Sequence, residues 1–170
     1  GRKDDTSSCW VRVATAWAGK GWGQFSIPRI GQEVLVEFVE GNPDCPVVVG
    51  RVFNAEQTPP CDPGGTGGVV SGLRSKTHRG SGYNAMELDD TAGKEQITIH
   101  AQYDLDTTVL HDERVSVGND RTESVGKNES VTIGENRTES VGKDESVSIG
   151  ANQTHSVGKD QTLSVGKNQS

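Results

Sequence analysis

Hydrophobic and polar residues alternate over short runs in the first third of the chain. In the run 33–39, Val34, Val36 and Phe38 lie on one side of an extended strand, because successive side chains of a strand point in opposite directions. The other strand-like runs are 10–17, 22–27 and 47–53. Turn sequences separate these runs, and no helical period competes with them. Four or five short strands predict a small β-barrel, which at this size needs support from outside.

A segment of different composition follows. Residues 54–72 contain three prolines and five glycines, the composition of a linker or open loop. We expect short strands between this linker and residue 108.

From about residue 110 the chain repeats with a period of eight. Glycine recurs at Gly118, Gly126, Gly134, Gly142, Gly150, Gly158 and Gly166. A β-branched apolar residue precedes each of these glycines, and Asp or Asn follows two places later. This internal repeat is the strongest signal in the chain, and it decides the architecture of the last part.

Each octad predicts one short strand and one corner. Glycine permits a positive φ, and an Asp or Asn side chain can bond to nearby backbone, so the repeat glycines are the predicted turns. The other positions are rich in Val, Ile, Thr and Ser, which favour strands. The two-residue period places one set of apolar side chains on the inner side, and we expect these to form the core: Val115, Val117, Val125, Val131, Ile133, Val141, Val147, Ile149, Val157, Leu163 and Val165.

One octad is too short to enclose a hydrophobic interior, since it spans at most about 26 Å when extended. Two arrangements remain open. Three chains can wind together, each supplying one side of a triangular prism per octad, or one chain can coil with two octads per turn. Glu123, Glu139 and His155 occupy nominally inward positions. The pattern alone gives no reason for the two carboxylates.

Composition and charge narrow the classes of function. Only 31% of the residues are hydrophobic, so we expect no large conventional core. A net charge of −7 argues against nucleic-acid binding through a basic face. No stretch approaches the roughly 20 apolar residues of a membrane span. The three cysteines, Cys9, Cys45 and Cys61, form no C-x-x-C motif and argue against a disulfide framework, with a Cys9–Cys45 pair as the alternative.

Motifs for catalysis or cofactor binding are weak. The four histidines lack the spacing of a zinc site, and His155 could ligate a metal only as one of three copies on a trimer axis, so we expect a corner or surface histidine. The glycine-rich stretches 19–23 and 64–68 fit neither the P-loop nor the dinucleotide fingerprint. We therefore expect no enzyme and no cofactor.

The Asp and Asn residues near the repeat glycines keep a second class of function open. A calcium-dependent β-roll or adhesin stalk, acting as a binding module, also repeats glycine and Asx residues. Against it, the period here is eight, and the Asx residue is Asn in four of seven repeats, which lowers the ligand charge.

Several stretches closely resemble the VgrG spike proteins of bacterial type VI secretion. They are 21–38, 41–54, 73–78, 88–102 and 106–109, so the resemblance covers nearly the whole chain. The family is related to the cell-puncturing spike of contractile phage tails. The resemblance implies an all-β fold, in which a small OB-fold barrel is followed by an intertwined three-stranded β-helix, a triangular prism, in a homotrimer.

The resemblance also implies a function. It is that of a structural spike in a phage tail-like, contractile secretion machine: a rigid trimeric rod that helps puncture target-cell membranes and carries effectors. The implied partners are the secretion tube protein and a tip-capping protein, through regions outside this sequence, together with effector proteins and the target-cell envelope. Assembly in the bacterial cytoplasm would precede secretion or injection into target cells.

The resemblance implies a segment of a longer protein, and the sequence begins without methionine. In the phage relative a lysozyme domain lies between barrel and needle; here only residues 54–72 occupy that place, so lysozyme activity is not implied. The predicted organisation is an N-terminal tail (1–8), an OB-fold barrel (9–57), a linker with short strands (58–108) and an octad-repeat β-helix (109–170), called the needle segment below.

Overall fold

The computed structural model describes residues 10–61 and 66–166. The predicted N-terminal tail, 1–8, lies outside these residues. In chain order the strands are β1 (Arg12–Val13), β2 (Ala18–Gly19), β3 (Trp22–Gly23), β4 (Glu33–Phe38), β5 (Pro46–Val52), β6 (Val70–Arg74), β7 (Ala85–Asp89) and β8 (Gln96–His100). Two short 3-10 turns, Val39–Gly41 and Thr66–Val69, are the only helical elements in the described part of the chain. The predicted all-β class is confirmed.

The first sheet has the order β1-β5-β4. β5 runs antiparallel to β4 and parallel to β1, and Val36 lies opposite Val48 in the register. A separate hairpin joins β2 to β3, where the rings of Trp17 and Trp22 meet edge to face at 5.4 Å between centroids. Gly23 has a φ of +130°, and a Cβ there would lie 2.5 Å from the carbonyl oxygen of Trp17, so this hairpin requires glycine.

The second sheet is the antiparallel meander β6-β7-β8. Leu73 pairs with Met86, which pairs in turn with Ile99. β6 begins at Val70, so the last residues of the predicted linker are strand. The Arg29 guanidinium donates a hydrogen bond of 2.6 Å to the carbonyl oxygen of Lys76 and joins the first part of the chain to the segment after β6.

Polar side chains hold the meander together. The Arg74 side chain donates from Nε to Glu87 Oε1 at 2.7 Å, and its Cζ lies 4.6 Å from the ring centroid of Tyr83. The Tyr83 ring lies 4.5 Å from that of His100. The hydrogen bond from Arg74 lowers the pKa of the Glu87 carboxyl, because it stabilises the charged form.

Very little of the described chain is buried. Val48 and Ala85, each 8% exposed, are the only described residues that form a core. Trp10, Phe25 and Ile30 are almost fully exposed. This agrees with the small core that composition predicts, and it means that a single chain buries too little apolar surface to offset the entropy of folding.

Contacts divide the chain into two compact units, Gly1–Asp112 and Glu113–Ser170. The second unit contains nearly all of the needle segment. No helix in the described part has the length and apolar character that crossing a bilayer requires.

The Arg74–Glu87 hydrogen bond predicts a measurable dependence on pH. Because the pKa of Glu87 is lowered in the folded state, its contribution to stability is present above the ordinary glutamate pKa of about 4.3 and is lost as pH falls through the lowered value. We expect Glu87→Gln to lower the melting temperature at pH 6, and the difference from the unsubstituted chain to shrink toward pH 3. Thermal unfolding followed by circular dichroism checks this, with Glu56→Gln as the control. A difference that stays constant with pH would contradict it.

Candidate functional site: the octad face

The needle segment is extended and bends once per octad. The bends fall at or directly after the repeat glycines, from Gly118 to Gly166. Between them the backbone forms no strand pair, and no backbone hydrogen bond joins two residues within 115–166. A single chain coiled at two octads per turn would pair with itself, so the structure does not form that alternative. The backbone groups of these strands are left for another molecule or for water.

The apolar residues of the needle segment form two regular rows, which together we call the octad face. The first row holds the residue before each repeat glycine, and its members are 42–50% exposed: Val117, Val125, Ile133, Val141, Ile149, Val157 and Val165. The second row lies two residues earlier and is 59–72% exposed: Val115, Val131, Val147 and Leu163. An apolar surface of this length and regularity requires a covering partner.

The repeat glycines do not use the backbone freedom that glycine has. None of them has a φ in the left-handed region; in the described chain the glycines that do are Gly21, Gly23, Gly31, Gly41, Gly72 and Gly93. A Cβ at any repeat glycine would meet nothing within 4 Å of its own chain. Neither backbone strain nor intrachain crowding therefore explains these glycines, since an ordinary residue fits each bend of the isolated chain.

The two carboxylates in the second row have partners that the sequence pattern did not reveal. Arg121 Nη2 lies 2.9 Å from Glu123 Oε2, and Arg137 Nη2 lies 3.0 Å from Glu139 Oε2. The arginine stands two residues before the glutamate, so both side chains leave the strand on the same side. The signal is present in the sequence as the tetrad Arg-Thr-Glu-Ser, which begins at Arg121 and returns sixteen residues later at Arg137.

No metal or calcium site is apparent in the described part of a single chain. His155 is exposed, and no group of three or more His, Cys, Asp or Glu side chains gathers anywhere among the described residues. Cys45 and Cys61 are free thiols. The calcium-binding alternative therefore gains no support from the described side chains. An axial site at His155, the alternative to the expected surface histidine, would need three copies and is not tested by a single chain.

The octad face predicts that substitutions on the two sides of one strand differ in effect. Ile133→Ala removes a first-row side chain, and we expect a loss of about 2–5 kcal/mol per chain once the face is covered. Thr132→Ala, its neighbour on the opposite side, should change stability by about 0.5 kcal/mol or less. Chemical denaturation of both variants tests this. Equal losses would show that the face is not buried in the assembled protein.

Two family models together match most of the chain. Residues 2–53 match the family model of the type VI secretion system and phage-baseplate injector OB domain, and residues 71–170, more than half of the chain, match that of the bacteriophage T4 gp5 C-terminal trimerisation domain. The fold is thus an OB domain followed by a trimerisation domain, and the family implies a homotrimer, as the resemblance predicted.

Curated relatives agree. The type VI secretion system spike protein VgrG1b of Pseudomonas aeruginosa is 46% identical over 127 residues, covering 73% of this chain and 17% of that protein. The actin cross-linking toxin VgrG1 of Vibrio cholerae is 48% identical over 111 residues, covering 65% of this chain and 10% of the toxin. The chain thus spans less than a fifth of the length of these relatives. With its octad face and its match over residues 71–170, the chain belongs to the family of the gp5 C-terminal trimerisation domain, and it is similar to part of the VgrG spike proteins.

Proposed function

We propose that this chain forms the OB and needle part of a spike in a type VI secretion machine, as a homotrimeric, force-bearing rod. One observation carries the proposal: apolar side chains recur once per octad, about half exposed, on strands that pair with nothing in their own chain. Three copies would cover these side chains with each other and complete the backbone hydrogen bonds between chains.

The mechanical role follows from how such a trimer is held together. Parallel strands from three chains would form a continuous ladder of hydrogen bonds, and interlocked Val and Ile side chains would fill the interior at the density of a protein core. Each chain would pass around the other two, so unfolding requires all three to unwind together and should be slow. A rod of this kind transmits thrust without bending and helps to pierce the envelope of a target cell.

Partners and location extend the same proposal. The tube protein and a tip-capping protein would bind through parts of the protein outside this sequence. One relative is named an actin cross-linking toxin, and from that name we extend effector delivery to the protein that contains this chain. Assembly would take place in the bacterial cytoplasm, followed by secretion or injection into target cells.

We propose a structural role for this segment and no enzymatic one. Its octad face is a surface that other chains would cover, and the relatives that the chain matches include proteins named as spike proteins. Peptidoglycan turnover by the purified chain should equal that of a buffer blank.

The native mass tests the proposed trimer most directly. Light scattering coupled to gel filtration should give three times the chain mass of 18.1 kDa, and this mass should persist on dilution. A chelator should change neither the mass nor the circular dichroism spectrum. A folded species of 18.1 kDa would overturn the proposal, and a chelator-dependent spectrum would favour the calcium-binding module instead.

A further inference from the structure

Charge alternates along one row of the needle segment. The third residue after each repeat glycine, or after Leu110 in the first octad, is Glu113, Arg121, Glu129, Arg137 and then Glu145. Both arginines pair with a glutamate of their own strand, at nearly equal distances and exposures. The alternation stops after Glu145, where Gln153 and Gln161 take the same position.

Threefold symmetry determines which octads become neighbours. Three copies of one octad would lie at the same height on three sides of the prism. When a chain turns a corner, the equivalent octad of the next copy already occupies that side. The following octad therefore stacks beside it, at the strand spacing of about 4.8 Å. Neighbouring strands on every side thus come from different copies and from successive octads, and they run parallel, so equivalent positions stack.

This stacking converts the alternating row into a column. Down each side of the prism the third positions would read Glu, Arg, Glu, Arg and Glu, contributed by all three copies. Opposite charges on adjacent strands attract, and like charges repel. Each guanidinium has five N–H donors, enough for the glutamate of its own strand and for the glutamates of the strands above and below.

A slip of one copy by one octad would spoil this column. The first apolar row tolerates such a slip well, because its residues recur every eight positions as Val or Ile. In the charged row, by contrast, the slip would place Arg beside Arg and Glu beside Glu at two of every three contacts. The charges therefore distinguish registers that the first row cannot.

We propose that the row Glu113, Arg121, Glu129, Arg137 and Glu145 binds neighbouring copies of this chain and selects the axial register of the trimer. This inference rests on the proposed trimer. It also assigns a role to the Arg-Glu pairs: each neutralises a carboxylate of the second row and holds the arginine toward the column.

Disulfide trapping reads the register directly. With the native cysteines replaced by serine, Thr122→Cys and Ser130→Cys in one chain should cross-link between copies, because these equivalent positions of successive octads would be adjacent and within disulfide range. Thr122→Cys alone should not cross-link, because the three copies of this residue would lie on different sides. In a slipped trimer, two of them become neighbours.

The charge test uses two matched triple variants, each refolded from denaturant at low salt. E113Q/E129Q/E145Q removes the glutamates of the column and leaves both Arg-Glu pairs intact. D120N/E135Q/D144N removes three acidic groups next to the corners and serves as the control. In the Thr122→Cys background we expect the column variant to raise the cross-linked fraction on the order of tenfold, and the control to leave it unchanged.

The outcomes separate this inference from the proposed function. A trimeric mass with equal cross-linking in both triple variants would overturn the register column and leave the trimer standing. A trimer in which Thr122→Cys and Ser130→Cys fail to cross-link between copies would also overturn the register column. A chain that stays monomeric without any charge substitution would overturn both. A column variant that cannot trimerise, beside a control that can, would support the column, since the charges would then be needed for assembly itself.

Discussion

The needle segment cannot complete its backbone hydrogen bonds within one chain. From residue 115 to residue 166 the structure has extended backbone, regular bends and no strand pairing. The other features of this unit depend on that constraint. Half-exposed Val and Ile side chains are unfavourable in a monomer and become a core only when other copies cover them. Folding and association are therefore one process for this part of the protein, as in obligate oligomers whose stability depends on concentration.

The first unit, Gly1–Asp112, also buries little of its own apolar surface, although less extremely than the needle segment. It has real sheets, yet only Val48 and Ala85 are buried among its described residues. Local polar contacts position its segments: the Arg29 bond to the Lys76 carbonyl and the Arg74–Glu87 pair act where a larger domain would use a core. The exposed Trp10 and Phe25 belong to a surface that is unusually apolar for a free monomer.

Many of the strands and all of the bends in the needle segment could be predicted from the period of the sequence, because the period shows which side chains share a surface. The two-residue period located β4, a run rich in Val located β5, and the eight-residue period located the bends. The period does not show why the bends carry glycine, since none of the repeat glycines uses the left-handed backbone that glycine permits. The Arg121–Glu123 pair was missed because a pattern of apolar positions treats a charge as an interruption. The start of strand β6 was missed because Gly72, which lies inside the strand, is typical of a linker. Gly72 has a φ of +153°, and its backbone lies close to that of Met86. No local sequence pattern indicates such a close approach between two strands.

The two Arg-Glu pairs recur two octads apart with nearly the same geometry. In the proposed rod, a pair of octads is therefore the natural unit of growth, and a single octad is not. Inserting or deleting one octad would put two like tetrads in succession, whereas a change of two octads restores the pattern. Since each octad adds one strand spacing of about 4.8 Å to the axis, such a spike would change length in steps of about 10 Å. The length of the proposed spike, and with it the reach of the spike across an envelope, would then evolve through duplication of a short stretch of the coding sequence. The fold would stay the same.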